Sequence, residues 1–134
     1  MFSAVLFSIA IAALAQFALY YWRAVLSSVA AQPISARVLE AANVVEPDLC
    51  GADFEKLAGL LELTPELRGK QQGLGLVCAY YRFVGKLADL FGGIAPSLML
   101  WSEHERALCA RYAAVQIDHR LEANLAQAAS LRSC

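Results

Sequence analysis

Residues 2–22 read FSAVLFSIAIAALAQFALYYW and carry no charge before Arg23. At about 1.5 Å rise per helical residue, this run reaches roughly 30 Å, the thickness of a bilayer's hydrocarbon core. Lipid offers no hydrogen-bond partner to a backbone N–H or C=O, so an isolated crossing segment has to be helical. Ser3, Ser8 and Gln16 are few enough to be carried inside it. The run is therefore predicted to be one transmembrane helix. Tyr20, Tyr21 and Trp22, with rings suited to the headgroup layer, mark its membrane-interface end, and Arg23 is expected to extend its guanidinium into the phosphates.

The flanks predict an orientation. Arg23 and Arg37 follow the run and no basic residue precedes it, so the amino terminus is expected outside and the remainder in the cytoplasm of a cell-membrane protein. A cleaved secretory signal is the competing reading, with Ala13-Leu14-Ala15 and Ser28-Val29-Ala30 as small-residue cleavage sites. The missing basic n-region and the length of the apolar run favour a retained anchor.

About a hundred residues remain beyond the anchor, enough for one modest domain. Their pattern is helical throughout, so the fold class expected is all-α: the transmembrane helix, then a small bundle of three or four helices. Residues 1–32 form the anchor and juxtamembrane helix, 33–52 a linker with a short helix in 34–43, and 53–134 the bundle domain. Asp53 is placed to cap a helix over 54–63. Thr64-Pro65-Glu66 then opens a longer helix to about residue 91. That helix has one polar stripe, Arg68, Gln71, Arg82, Lys86 and Asp89, and is apolar around most of its girth, which predicts the centre of the bundle. Residues 90–101, LFGGIAPSLMLW, are too short to cross a membrane; a loop covering the core is preferred over contact with the membrane surface.

Ser102-x-x-Glu105 matches a helix-start capping box, with Pro96 an earlier possible start, and the last helix is expected to reach about residue 129. Its wheel carries two apolar stripes. Leu108, Tyr112, Val115, His119 and Ala126 lie on one; Ala114, Ile117, Leu121, Leu125 and Ala128 lie nearly opposite. One stripe suffices for the chain's own bundle. Ile117, Leu121 and Leu125 are therefore the candidate partner-binding residues, for a membrane-protein partner or a second copy of the chain.

Catalytic chemistry finds no foothold. Cys50, Cys78, Cys109 and Cys134 make no C-x-x-C pair, and the preferred reading of Cys78 and Cys109 is as small buried hydrophobes. His119 is read as a core histidine satisfied by one hydrogen bond; His104 lies about 22 Å away along the helix, so the two cannot share an ion within one chain, and ligation across a symmetric dimer ranks below the structural reading. Glu103 and Glu105 read as helix-start charges rather than general acids. Gly73-Leu74-Gly75 belongs to neither a dinucleotide fingerprint nor a P-loop. The Gly69-x-x-x-Gly73 spacing is read as local packing. No catalytic, cofactor-binding or metal-ligating residue is nominated, and no cofactor is expected. A net charge of −1 with no basic stripe argues against nucleic acid. Mean hydropathy of +0.49 points to a large core or to apolar surface awaiting a partner. The expected function is that of a non-enzymatic, single-pass accessory or scaffold protein; a membrane-bound cofactor, redox or lipid-binding protein is the alternative.

Overall fold

The structure is a computed structural model and describes residues 1–43, 50–64 and 73–134. It contains α1 (Phe2–Ala30), α2 (Ala36–Ala42), a 3-10 turn (Gly51–Asp53), α3 (Phe54–Leu63), α4 (Leu74–Phe91) and α5 (Pro96–Arg132). No strand occurs among the described residues. The fold is all-α, with one long apolar helix at the amino end and a helical region after it, as the sequence predicts.

Boundaries follow local chemistry. α1 stops at Ala30, just before Pro33, whose ring removes a backbone donor and restricts the residue ahead of it. α2 ends on Asn43 at φ 53°, a left-handed geometry that asparagine tolerates better than most residues. The helix expected over 54–63 is α3. Asp53 precedes it, but its carboxylate turns back instead and accepts from Cys50 N–H at 3.2 Å. Of the expected restart, Pro65 and Glu66 lie outside the described residues, as do Arg68, Gln71 and the Gly69 end of the glycine pair. α4 ends at Phe91 as expected, and Arg82, Lys86 and Asp89 are exposed.

The centre of the bundle is α5, not α4. α1, α2, α3, α4 and the 3-10 turn all pack on α5. The reason is size. Cys109, Ala110, Ala113 and Ala114 are fully buried and so short that neighbours approach from several sides at once. α4 instead buries one face, Val77, Tyr80, Tyr81 and Val84, and leaves Leu76, Phe83 and Leu90 exposed. The core also draws on segments ahead of α3: Leu26, Ile34 and Val38 join Phe54, Leu57 and Leu61 in it. The segment expected as a linker thus contributes to the core, and the last two turns of α1 are part of the bundle.

α5 also supplies the polar ends of its neighbours. Arg111 Nε donates to the Ala30 carbonyl at 3.0 Å, closing α1. Arg120 Nη1 donates to the carbonyls of Leu61 at 2.7 Å and Thr64 at 3.0 Å, closing α3. Asp118 Oδ2 accepts the Ser35 N–H at 3.2 Å, ahead of α2. Helix ends leave backbone groups unpaired, and each such contact satisfies some of them.

Two expectations about α5 are corrected. It begins at Pro96, the earlier of the two starts the sequence offers, so Ser102 and Glu105 lie inside the helix rather than at its start, and Ser102 donates to the Met99 carbonyl one turn back. Residues 90–101 do not form a covering loop either. They are the end of α4, a four-residue turn and the first turns of α5, with Leu90, Ile94 and Leu100 exposed.

Candidate functional site

α1, α4 and α5 meet at Glu105. Stepping α5 at its 3.6-residue period puts Ser102, Glu105 and Cys109 on one buried face, and Glu105 is 0% exposed. An ionised carboxylate cannot stay there unpaired. Tyr80, from α4, donates its hydroxyl to Oε2 at 2.7 Å. Arg23, from α1, brings Nη2 to 2.6 Å from Oε1, an ion pair although no N–H aligns with that oxygen as a hydrogen bond. The guanidinium side chain is 48% exposed, so the cation reaches inward from the rim while the anion is fully enclosed. Burial, and then the bond to Glu105, push the Tyr80 phenol well above its ordinary range. The Cys109 thiol, one turn on, is pushed up to about 12 by burial and then by the Glu105 charge. Neither the Tyr80 phenol nor the Cys109 thiol is tuned to lose a proton near neutral pH. It is a clamp.

A second polar joint lies one residue further along. Arg106 Nη2 donates to the Tyr81 hydroxyl at 2.6 Å and its guanidinium carbon sits 4.7 Å from the ring's centroid. That hydroxyl donates in turn to the Gly51 carbonyl at 2.8 Å, and Phe54 stacks on the ring at 4.3 Å. A side chain at Gly51 would strike Arg106, so only glycine lets the 3-10 turn approach. Together the two joints fix α4, the 3-10 turn and α1 to α5.

The membrane-interface residues lead into this clamp. Tyr20 and Tyr21 are exposed, Trp22 packs against the core, and Arg23 faces Glu105 rather than standing free. Of the candidate partner residues, Ile117 is 7% exposed inside the core, Leu121 is half-buried and Leu125 is 49% exposed. α5 continues to Arg132, and beyond Leu121 it has no buried residue. Leu121 and Leu125 therefore sit where the helix leaves the bundle, while Ile117 is taken up by the chain's own packing.

His119 is exposed, with Nε2 2.7 Å from Gln32 Oε1, so it is not the core histidine that its stripe suggests; His104 is exposed as well. Glu105 is not a helix-start charge. Cys78 and Cys109 pack with the core as expected, whereas Cys50 and Cys134 are exposed. No group of three metal-ligating side chains gathers among the described residues. An open cleft of about 280 Å³ between α3 and α4 mixes Glu55 and Glu62 with Arg82, and burial raises the Cys78 thiol beside it. That chemistry gives neither a thiolate nucleophile nor a single-sign binding site.

Sequence reasoning missed the clamp because Arg23 and Glu105 are 82 positions apart, and each has an adequate local explanation. The available signal was Tyr80. It sits on the apolar side of α4, and a buried phenol needs a partner. Comparison with family models, curated proteins and solved structures finds no match to this chain.

Proposed function

We propose that this chain is a single-pass, membrane-anchored accessory protein without catalytic activity, which holds its helical bundle against a membrane-protein partner or a second copy of itself. The observation that carries this reading is the division of α1. Its residues from Phe2 to Tyr21 are exposed on every face, whereas Leu26 and Ala30 are buried in the bundle. Nine large apolar side chains between Phe2 and Leu19 stand open. At roughly 1.5–3 kcal/mol each for leaving water, they favour an apolar medium by on the order of 20 kcal/mol. α1 is long and apolar enough to cross a bilayer.

The proposed orientation keeps the amino terminus outside and the bundle cytoplasmic. Arg37 is exposed, and Arg23 is answered by Glu105 only once the domain has folded, so both act as positive-inside signals while the chain inserts. Because the clamp joins α1 to α5, anchor and domain move as one body. The carboxyl end of α5 is then presented at a fixed height and angle. Leu121 and Leu125 begin an apolar line along that free end.

A photo-crosslinking residue in place of Leu125, activated in native membranes, tests this reading. One discrete protein adduct, lost when Leu121→Glu is added, is expected; labelling of lipid or solvent alone removes the adaptor role.

A further inference from the structure

We propose that the turn joining α4 to α5 is a second membrane contact, whose apolar tip enters the leaflet beside α1. The proposal rests on the reading of α1 as a membrane anchor. What carries it is the register between helices. α1 and α5 run in parallel: Arg23 meets Glu105, the Ala30 carbonyl meets Arg111, and Gln32 meets His119. Going backward along both helices from the clamp therefore leads in the same direction, toward the apolar run. Pro96 is nine residues before Glu105, about 14 Å along the axis if the helices are aligned and about 9 Å if they cross at the common angle near 50°. The same nine steps back from Arg23 arrive at Leu14, well inside the run. α4 is antiparallel to α5, with Gly73 beside Tyr112, Tyr80 at Glu105 and Gly92 beside Met99, so its carboxyl end reaches the same tip.

The tip has the chemistry for that place. No charged residue occurs between Asp89 and Glu103. Leu90, Ile94 and Leu100 are 71%, 82% and 72% exposed. A turn facing water would be built from polar residues, and this one presents large apolar side chains on both arms. Gly92 lets the arms close: a Cβ there would strike Met99 and the Ala88 carbonyl. The depth is limited by charge. Arg82, Lys86 and Asp89 follow a line roughly a quarter of a turn from Leu76, Phe83 and Leu90. A hairpin leaning on its apolar line keeps those charges among the headgroups while its tip sinks about 5–10 Å, as interfacial helices do. Two contacts at different points fix the rotation of the bundle about the anchor, which one helix cannot do.

The test uses the full chain in phosphatidylcholine vesicles with acyl chains brominated, in a Trp22→Phe/Trp101→Phe background. A single tryptophan is placed by Ile94→Trp at the tip or by Phe7→Trp in the span, with helix content checked by circular dichroism. Bromine is expected to quench both indoles, and the I94W indole is expected to emit to the blue and resist aqueous iodide. If F7W is quenched while I94W stays open to iodide, the tip is in water and the proposal falls, with the anchor intact. If F7W is not quenched, the anchor reading fails and this inference goes with it. Leu100→Trp repeats the measurement on the other arm, so a local distortion at 94 does not decide the result.

Discussion

Replacing Arg23 with methionine removes the cation of the clamp and leaves Glu105 fully buried with Tyr80 as its remaining partner. Breaking a buried ion pair from one side costs about 3–5 kcal/mol, because the stranded charge keeps its desolvation penalty. The Arg23 side chain is half-exposed and partly screened, so the expected loss is smaller, about 2–3 kcal/mol. Glu105→Gln in the same chain abolishes the stranded charge and still accepts the Tyr80 hydroxyl. The double variant should therefore regain most of the loss, with a coupling of about 2 kcal/mol. The assay is urea unfolding of the full chain in detergent micelles, followed by far-ultraviolet circular dichroism, for the parent, both single variants and the double. A loss under about 0.5 kcal/mol for R23M, the scale of a surface pair, or additive effects in the cycle, would refute the clamp.

Tyr80→Phe deprives the same carboxylate of its neutral donor and should cost about 1.5–3 kcal/mol in that assay. Ile117→Glu forces a charge into the core and should unfold the domain, whereas Leu125→Glu should leave stability within about 0.5 kcal/mol; thermal melts of the two separate core from surface. A disulfide reagent near neutral pH should titrate Cys50 and Cys134 promptly and reach Cys109, whose thiol is buried and pushed up to about 12, only on unfolding. Asp53 gives an acid limb. Its carboxyl is held below the ordinary 3.8, first by the Cys50 N–H and then by the Cys50 thiol, so its contribution is complete above that value and is lost as pH falls below it. Denaturation midpoints of Asp53→Asn against the parent should converge in strong acid and separate above pH 4.

Elements whose cause is local were legible in the sequence. The apolar run, α3 and the ends of α2 and α4 follow from charge, proline and cap chemistry within a few residues. The hierarchy of the bundle was not, because counting apolar residues favours α4, while the packing centre is set by the small residues around Cys109 and Ala113. Small residues contribute little to a hydrophobic stripe, yet they decide how many helices can approach. Glu105 reads as a helix-start acid because Ser102 precedes it by three, and only the three-dimensional placement of Arg23 and Tyr80 explains why a carboxylate is tolerated at 0% exposure. His119 fails in the other direction. Its wheel position is apolar, but α5 has by then begun to leave the bundle, and His119 is exposed with Gln32 at its ring nitrogen rather than core side chains around it. Helix periodicity identifies faces; it does not say how far along the helix each face stays covered.

The central claim is that the chain works by contact, held at a membrane by α1. Native mass spectrometry of the intact assembly released from its own membrane in mild detergent tests it most directly. One defined complex is expected, either with a membrane-protein partner or with a second copy, that is lost on Leu125→Glu while the monomer stays folded. A bare monomer for parent and variant alike would contradict it.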